Sequence, residues 1–347
     1  MSNLFRRTIQ TVDSHTEGNS TRVITGGYPI PPGTTLLQKR QWLASNDDGL
    51  RRMLNFEPRG HGMMCSVLLM PPLIAEADFS VIIMEQDEYV PMCGHCIIGA
   101  ATTVVATGMV HATEPITTVC FETPAGLVSC DVHVSDETIS CVSFVNVESF
   151  LLLRDTVVEV AELGRLTVDI AYGGDFYVFV DADALGIQLG PHNDGEIVGA
   201  ANRIIPAVNA QLEIRHPLRP DINRCYQTLF TTTNTTSGDF KQTVVAPPGS
   251  LDRSPCGTGT SARVAALYTR GEIGIDHEVT FEGVLGTCFR GSAVTSEERD
   301  GIVYVRPKIT GRAFITGFHH FVLGPDDPLP EGFRIGPAPR EMAASGV

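Results

Sequence analysis

The chain of 347 residues is 43% hydrophobic and carries a formal net charge of −15 at pH 7. This length favours two domains, and the strong negative charge argues against nucleic acid or an anionic membrane as a partner. No apolar run of signal-peptide length follows the first arginines, and the longest uncharged apolar stretch, residues 96–110, is too short to span a bilayer. We therefore expect a soluble protein of the cytoplasm.

Strands and helices alternate through the first part of the chain. Residues 9–27 predict two short strands around a turn at Glu17 and Gly18, because Val, Ile and Thr dominate the apolar positions. Apolar residues at near-helical spacing predict one helix over 36–54. A further helix is expected to begin near Cys93. Alternating or β-rich runs predict strands at 64–70, 79–84, 117–122, 127–134 and 139–147.

The same order returns in the second part of the chain. The pattern pauses at 149–154, which makes that stretch a candidate boundary. A helix is predicted over 197–212, and strands are predicted at 156–160, 166–171, 176–180, 226–231 and 242–246. A helix is then expected to begin near Cys256, as one is near Cys93. The sequence therefore predicts a duplicated α+β unit with a ligand site between the two copies.

Two stretches that echo each other, residues 91–100 and 254–262, carry the chemistry (PMCGHCIIGA and SPCGTGTSA). Each places a Cys-Gly pair after a proline, and Cys93 precedes Gly108 by the same count as Cys256 precedes Gly271. A thiol in the first turn of a helix lies beside unpaired N–H groups, which favour thiolate over thiol and can also bind a carboxylate. This combination predicts proton removal next to a carboxyl group.

Two such thiols on opposite sides of one substrate would act as a racemase or epimerase, since one removes the Cα proton and the other returns one to the opposite face. Racemases that use pyridoxal phosphate need a Schiff-base lysine. The three lysines, Lys39, Lys241 and Lys308, lie in no suggestive context. We therefore expect a reaction without a cofactor.

Other functions compete for the same residues. Cys93 and Cys96 form the C-x-x-C spacing of thiol-disulfide oxidoreductases, but the position matching Cys96 in the second helix is Gly259, so the shared role falls to Cys93. A zinc site from Cys93, His95 and Cys96 is disfavoured because no second ligand pair follows, and no metal is expected. The nine cysteines are odd in number and scattered, which argues against structural disulfides. A non-catalytic protein that binds the same small molecule is a third alternative.

Two polar neighbours are candidates for substrate contact. His95 lies two residues after the first cysteine, and Asp252 lies four residues before the second. A carboxylate could pair with a substrate ammonium, and an imidazole could bond the amine or orient the carboxylate. Each also has a structural explanation, because histidines and acidic residues commonly cap or complement helix N-termini.

At these residues the sequence resembles the proline racemase family, which includes proline racemases, 4-hydroxyproline 2-epimerases and trans-3-hydroxyproline dehydratases. The resemblance rests on residues 92–95 (MCGH) and 252–262 (DRSPCGTGTSA), supported by 13–18 (DSHTEG), 57–61 (EPRGH), 123–126 (TPAG), 173–174 (GG) and 311–317 (GRAFITG). It implies the diaminopimelate-epimerase-like α+β fold, in which two pseudo-symmetric α/β halves wrap strands around a central helix and the active site lies between them. We divide the chain into 1–147 completed by strands at about 308–335, 148–307, and a disordered tail at 336–347.

The resemblance also implies the roles of individual residues. Cys93 and Cys256 would be the acid/base thiols, and the backbone of Gly94, His95, Gly257 and Thr258 would hold the carboxylate. His95 and Asp252 would lie near the ring nitrogen. The resemblance implies no metal or organic cofactor, a small imino acid as the substrate, and the homodimer that is common in the family.

Substrate choice rests on a few positions. The dehydratases of the family carry threonine where this chain has Cys256, so racemisation or epimerisation is favoured over water loss. Two positions in the pocket wall align with Cys65 and Cys225. The first position is usually Phe in proline racemases and smaller in the epimerases, so Cys65 favours a 4-hydroxyproline 2-epimerase. The second is often His in the epimerases and Cys in proline racemases, so Cys225 favours a proline racemase. The spellings HTEG and PRGH favour proline racemase as the first choice, with the epimerase as the alternative.

Overall fold

The computed structural model describes residues 5–246 and 249–335. Over those ranges, none of the helices combines the length and the apolar character that crossing a bilayer requires. The chain divides into two compact units. Of the described residues, the first unit contains 5–144 and 311–335, and the second contains 145–246 and 249–310. The tail expected at 336–347 lies outside the described residues.

The elements up to the first boundary follow the predicted order closely. The helices are α1 (Leu36–Asn46), α2 (Gly49–Asn55) and α3 (Gly94–Ala106). The strands are β1 (Arg7–Thr16), β2 (Asn19–Gly26), β3 (Cys65–Met70), β4 (Phe79–Met84), β5 (Tyr89–Val90), β6 (Ile116–Thr123), β7 (Gly126–Ser135) and β8 (Thr138–Val145).

The elements beyond that boundary include the second cysteine helix. The helices are α4 (Asp194–Gln211) and α5 (Gly257–Thr269). The strands are β9 (Ser149–Val160), β10 (Gly164–Tyr172), β11 (Phe176–Asp181), β12 (Gln227–Thr232), β13 (Phe240–Ala246), β14 (Ser250–Leu251), β15 (Val279–Glu282), β16 (Cys288–Arg299), β17 (Ile302–Gly311) and β18 (Ala313–Leu323). The sequence pattern predicted an interruption between strands at 149–154, and this prediction is wrong, since β9 includes these residues.

Strand pairing repeats between the two units. In the first, β1 pairs antiparallel with β2, β2 parallel with β3, β3 antiparallel with β4, and β4 parallel with β6. In the second, β10, β11, β12, β13 and β15 pair in the same sequence of directions. Each leading strand also has a second antiparallel neighbour, β18 for β1 and β9 for β10. This repetition supports the predicted duplication.

One helix in each unit is surrounded by strands. Residues Gly94 to Val105 of α3 are all buried, and the helix packs against β1, β2, β3, β7 and β18. The second cysteine helix, α5, packs against β9, β10, β11 and β16. A helix made of apolar and small residues on every side is stable in water only when its whole surface is covered. The strands provide that cover.

The single helix predicted over 36–54 is wrong in its middle. Asp47 is drawn out of helical geometry because its carboxylate accepts hydrogen bonds from Arg7 and from the hydroxyl of Tyr28. Asp48 is the N-cap residue of α2, and its carboxylate pairs with Arg51. Periodicity alone did not reveal this break, since the partners of Asp47 lie far back in the sequence.

Close packing of α3 gives a prediction on stability. A Cβ added at Gly99 would lie 3.0 Å from the Cβ of Thr21, whose side chain is fully buried, whereas one at Gly199 in α4 would meet only the end of Arg203 at 3.5 Å. We expect Gly99→Ala to lower the free energy of unfolding by about 1–3 kcal/mol through overpacking. Gly199→Ala should leave it unchanged or raise it by up to about 1 kcal/mol through helix propensity.

Chemical denaturation of the two variants beside the unmodified chain measures the difference. Equal unfolding midpoints for both variants would contradict the tight packing of α3 against β1 and β2.

Candidate active site

Cys93 lies at the N-cap of α3. Its backbone is extended (φ −145°, ψ 119°), and only 9% of the residue is exposed. Its Sγ lies 3.1 Å from Nδ1 of His95. The cysteine is thus placed where the sequence predicted, next to the first N–H groups of the helix, which include those of Gly94 and His95 and have no partner further back in the helix.

The ring of His95 is held by several contacts. Its Nε2 lies 3.4 Å from Sγ of Cys96, and the amide nitrogen of Asn19 lies 3.3 Å from each ring nitrogen. Its carbonyl accepts a hydrogen bond of 2.8 Å from the hydroxyl of Thr16. Burial lowers the pKa of His95 to about 4, although a backbone hydrogen bond with Ser20 opposes the shift. The imidazole is therefore neutral near pH 7.

Opposing effects set the pKa of Cys93. A hydrogen bond with Cys96 lowers it, but burial and the negative charge of Glu85 outweigh that bond and raise the pKa to about 12. The prediction that the helix terminus makes this cysteine a thiolate is wrong for the ligand-free chain. Removing the sulfur from water penalises the charged form, and the carboxylate of Glu85 penalises it further.

Cys256 occupies the N-cap of α5 with a different backbone. Its φ of +67° is a conformation that residues with a Cβ rarely adopt, and such strain is common at functional sites. The N–H of Gly259 donates to Sγ at 3.3 Å. The hydroxyls of Tyr177 and Thr258 each lie 3.7 Å from the same sulfur, and they lie 2.6 Å from each other.

Asp252 is the charged group that acts on Cys256. Its carboxylate accepts two hydrogen bonds of 2.9 Å from the N–H and the hydroxyl of Ser254. Burial raises the pKa of Asp252 to about 6 in spite of these bonds. Burial also raises the pKa of Cys256 well above its usual range, and the nearby charge of Asp252 adds to the shift. This thiol is protonated near neutral pH as well.

A glycine pair makes room for the first turn of α5. A Cβ on Gly173 would lie 2.2 Å from the carbonyl oxygen of Thr258 and 2.5 Å from the nitrogen of Ala262, distances that no side chain tolerates. Gly174 has a φ of +121°. The pair therefore lets the β10–β11 turn approach the helix closely enough to fix Thr258 beside Tyr177.

The two pocket-wall candidates have different surroundings. Cys65, the first residue of β3, is buried and hydrogen-bonded to Cys96, which connects it to His95. Cys225 lies in the main hydrophobic core of the second unit, with Sγ 3.5 Å from the carbonyl oxygens of Phe176 and Gln227. The role of both cysteines in a pocket wall stays a prediction.

A cavity of about 390 Å³ lies in the first unit, close to His95. Its lining joins two of the motifs noted in the sequence, residues 13–18 and His61. Ser20 also lines it and contacts His95. The motifs therefore meet in space at a recess that is connected to His95 through Ser20.

Each unit thus assembles part of the predicted set. The first brings together Cys93, Gly94, His95 and Cys65, and the second brings together Asp252, Cys256, Gly257 and Thr258. Sequence reasoning missed Tyr177, because nothing in an ordinary β-rich segment marks its hydroxyl. It also missed Asn19, whose only signal is its position directly after the motif at 13–18.

Comparison with known proteins identifies the family to which the chain belongs. Residues 11–334 match the family model for proline racemase. A 4-hydroxyproline 2-epimerase of Streptosporangium roseum is 42% identical over 330 residues, which is 95% of this chain and 99% of that protein. A proline racemase of Clostridioides difficile is 39% identical over 332 residues, with the same shares covered.

Solved structures agree with this assignment. A crystal structure of a hydroxyproline epimerase from Agrobacterium vitis with bound trans-4-hydroxy-L-proline matches with a TM-score of 0.87 at 32% identity, and the match covers 96% of each chain. The matches extend over almost the whole length and include the segments that form both cysteine helices. The chain therefore belongs to the proline racemase family and is an enzyme of the racemase and epimerase class.

Proposed function

We propose that the chain inverts the Cα of proline or a hydroxyproline by a two-base mechanism without an organic cofactor, with Cys93 and Cys256 as the acid and base. The observation that carries this proposal is the equivalent position of the two thiols. Each is a buried N-cap of the helix that the strands of its unit surround. Family membership supports the same chemistry.

In the proposed reaction, the first-turn N–H groups receive the substrate carboxylate, because a helix N-terminus is a ready anion site. The backbone of Gly94, His95, Gly257 and Thr258 would serve this purpose. Polarising the carboxylate stabilises the carbanion-like transition state at Cα. One sulfur removes the Cα proton while the other delivers its own, so the two thiols exchange protonation states in each turnover.

The raised pKa values of both thiols explain how substrate binding and activation are linked. Near neutral pH both sulfurs are protonated in the ligand-free chain. The reaction requires one thiolate, so a source of positive charge is needed. A cationic ring nitrogen beside Asp252 would offset the negative charge that helps to hold the proton on Cys256. The substrate would therefore assist in ionising its own base.

We assign L-proline as the first substrate and trans-4-hydroxy-L-proline as the alternative. The 42% identical epimerase and the small side chain of Cys65 favour the alternative. The motif spellings at 13–18 and 57–61 favour proline. Polarimetry of purified protein on both amino acids, without added pyridoxal phosphate, compares them directly. A higher kcat/KM for L-proline is expected, and a higher value for the hydroxylated ring would replace the assignment with the epimerase.

Replacing either thiol should stop the reaction. We expect Cys93→Ser and Cys256→Ser each to lower kcat by about 10²- to 10⁴-fold, the range that a general acid or base contributes, because a hydroxyl is a far weaker base than a thiol. The measurement is optical rotation over time. Cys130→Ala, which removes another buried thiol of the first unit, is the matched control and should retain activity. Full activity in either serine variant would exclude the two-thiol mechanism.

Isotope exchange tests the use of two bases. In D₂O the product should carry deuterium at Cα while the recovered substrate stays protiated early in the reaction, since the proton removed on one face is not the one returned on the other. Mass spectrometry of the separated enantiomers measures both. Equal deuterium in substrate and product would indicate a single base, and no deuterium in either would indicate a binding protein.

The carboxyl group of Asp252 should appear in the pH profile. Its pKa of about 6 means that it is neutral below that pH and charged above it, so its attraction for a cationic nitrogen is lost as the pH falls. We expect kcat/KM, which reports groups of the free enzyme, to decline below about pH 6. Neither ionisable group of proline titrates there.

Asp252→Asn should lower kcat/KM at pH 8 and remove the acidic limb of the profile. Asp300→Asn, in an exposed turn, is the control and should reproduce the wild-type profile. An unchanged acidic limb in the Asp252 variant would show that another group causes it.

A further inference from the structure

A group of soft ligands lies at the first turn of α3, and none of its side chains acts as the acid or the base of the proposed reaction. The thiols of Cys65 and Cys96 and the imidazole of His95 are all buried, and one ligand atom from each lies within 4.8 Å of the other two. The sequence alone disfavours a zinc site of Cys93, His95 and Cys96, because no second ligand pair follows Cys96. The missing ligand instead comes from upstream, at the start of β3.

The spacing fits a tetrahedral metal ion. With a zinc–sulfur distance of about 2.3 Å and a zinc–nitrogen distance of about 2.0 Å, two ligand atoms of a tetrahedron lie about 3.5 Å apart. Cys96 Sγ and His95 Nε2 already lie 3.4 Å apart. The sulfur of Cys65 lies within 4.8 Å of a ligand atom of each of the other two residues. Three protein ligands are also the number found in zinc sites with an exchangeable fourth position.

Charge balance favours a divalent ion at this buried position. Two thiolates and one divalent cation sum to zero, so the complex avoids the cost of burying a net charge. Thiolate and imidazole ligands select zinc and similar soft ions over magnesium or calcium. Binding would release the two thiol protons to solvent.

The surroundings of His95 supply the support that metal-bound histidines require. Such a histidine donates its other N–H to a neighbouring acceptor. When Nε2 holds the metal, Nδ1 carries the proton, and its neighbour at 3.1 Å is Sγ of Cys93. A second observation is independent of the ligands. The amide of Asn19 contacts this ring while its carbonyl oxygen is buried without a hydrogen-bond partner, which leaves an acceptor beside the cluster.

We propose that Cys65, His95 and Cys96 form a binding site for one thiophilic divalent cation such as zinc, and that the ion inhibits the enzyme. The inhibition rests on the proposed function, in which each thiol must both accept and deliver a proton. The imidazole of the bound ion would donate an N–H to Sγ of Cys93 and hold that sulfur as a thiolate, which cannot deliver a proton. The binding itself does not depend on the proposed function. A site of this kind would make the isomerase sensitive to free zinc.

Cobalt(II) is the probe for binding, since cobalt–thiolate bonds give intense charge-transfer absorption in the near ultraviolet. Chelator-treated protein should develop this absorption and saturate at one equivalent of cobalt, and zinc should displace it. The absorption should be lost in Cys65→Ala and in Cys96→Ala. It should persist in Cys130→Ala, which removes an equally buried thiol outside the cluster. Persistence in both cluster variants, or no absorption in the unmodified chain, would overturn the site.

X-ray absorption spectroscopy of the zinc-loaded, unmodified chain needs no variant and therefore does not depend on how the variants fold. It should show two sulfur atoms at about 2.3 Å and nitrogen at about 2.0 Å from zinc. A coordination sphere of oxygen and nitrogen alone would also overturn the proposal.

Measurements of racemase activity distinguish the proposed zinc site from the proposed function. Metal-free protein that racemises proline, loses activity with zinc and regains it with a chelator supports both. Cobalt binding in protein that never racemises overturns only the proposed function. Racemisation that zinc leaves unchanged, in protein shown to bind it, overturns the inhibition.

Discussion

The structure depends on the conflict between burial and charge at the ends of two helices. The first N–H groups of a helix favour an anion, whereas a dry environment penalises one. At Cys256 burial is the largest effect, and at Cys93 burial and the charge of Glu85 together outweigh the hydrogen bond with Cys96, so both thiols keep their protons in the ligand-free chain. A substrate that brings a carboxylate and a cationic nitrogen satisfies both demands together. In the proposed mechanism, the protonated thiols would therefore act as acid and base only when such a molecule is bound.

The two units place a cysteine at the same position of a helix, but the residues around the two cysteines differ. Both surround a helix with strands that pair in the same sequence of directions. At Cys256 the following residues include Gly259, whose N–H donates to the sulfur and where a Cβ would lie 3.2 Å from it. At Cys93 the corresponding position is Cys96, which adds a second thiol beside His95. This substitution of cysteine for glycine creates the proposed metal site in only one unit.

Much of this arrangement could be predicted from the sequence, because local signals determine it. Alternating apolar residues identified most strands, and the repeated Cys-Gly pairs located both helix N-termini. Long-range contacts could not be predicted in this way. The break after α1 depends on Arg7 and Tyr28, the hydroxyl beside Cys256 comes from Tyr177, and Cys65 reaches Cys96 across the fold. The sign of the thiol pKa shifts also depends on burial, which only the folded chain reveals.

The central claim is that two sulfurs serve one carbon from opposite faces. A crystal structure with pyrrole-2-carboxylate tests it most directly, since this flat ring resembles the substrate at the moment when Cα is planar. The account predicts that the carboxylate binds at the helix N-termini and that Sγ of Cys93 and Sγ of Cys256 contact C2 of the ring from opposite sides. A ring bound with both sulfurs on one face, or with either sulfur out of contact, would contradict it.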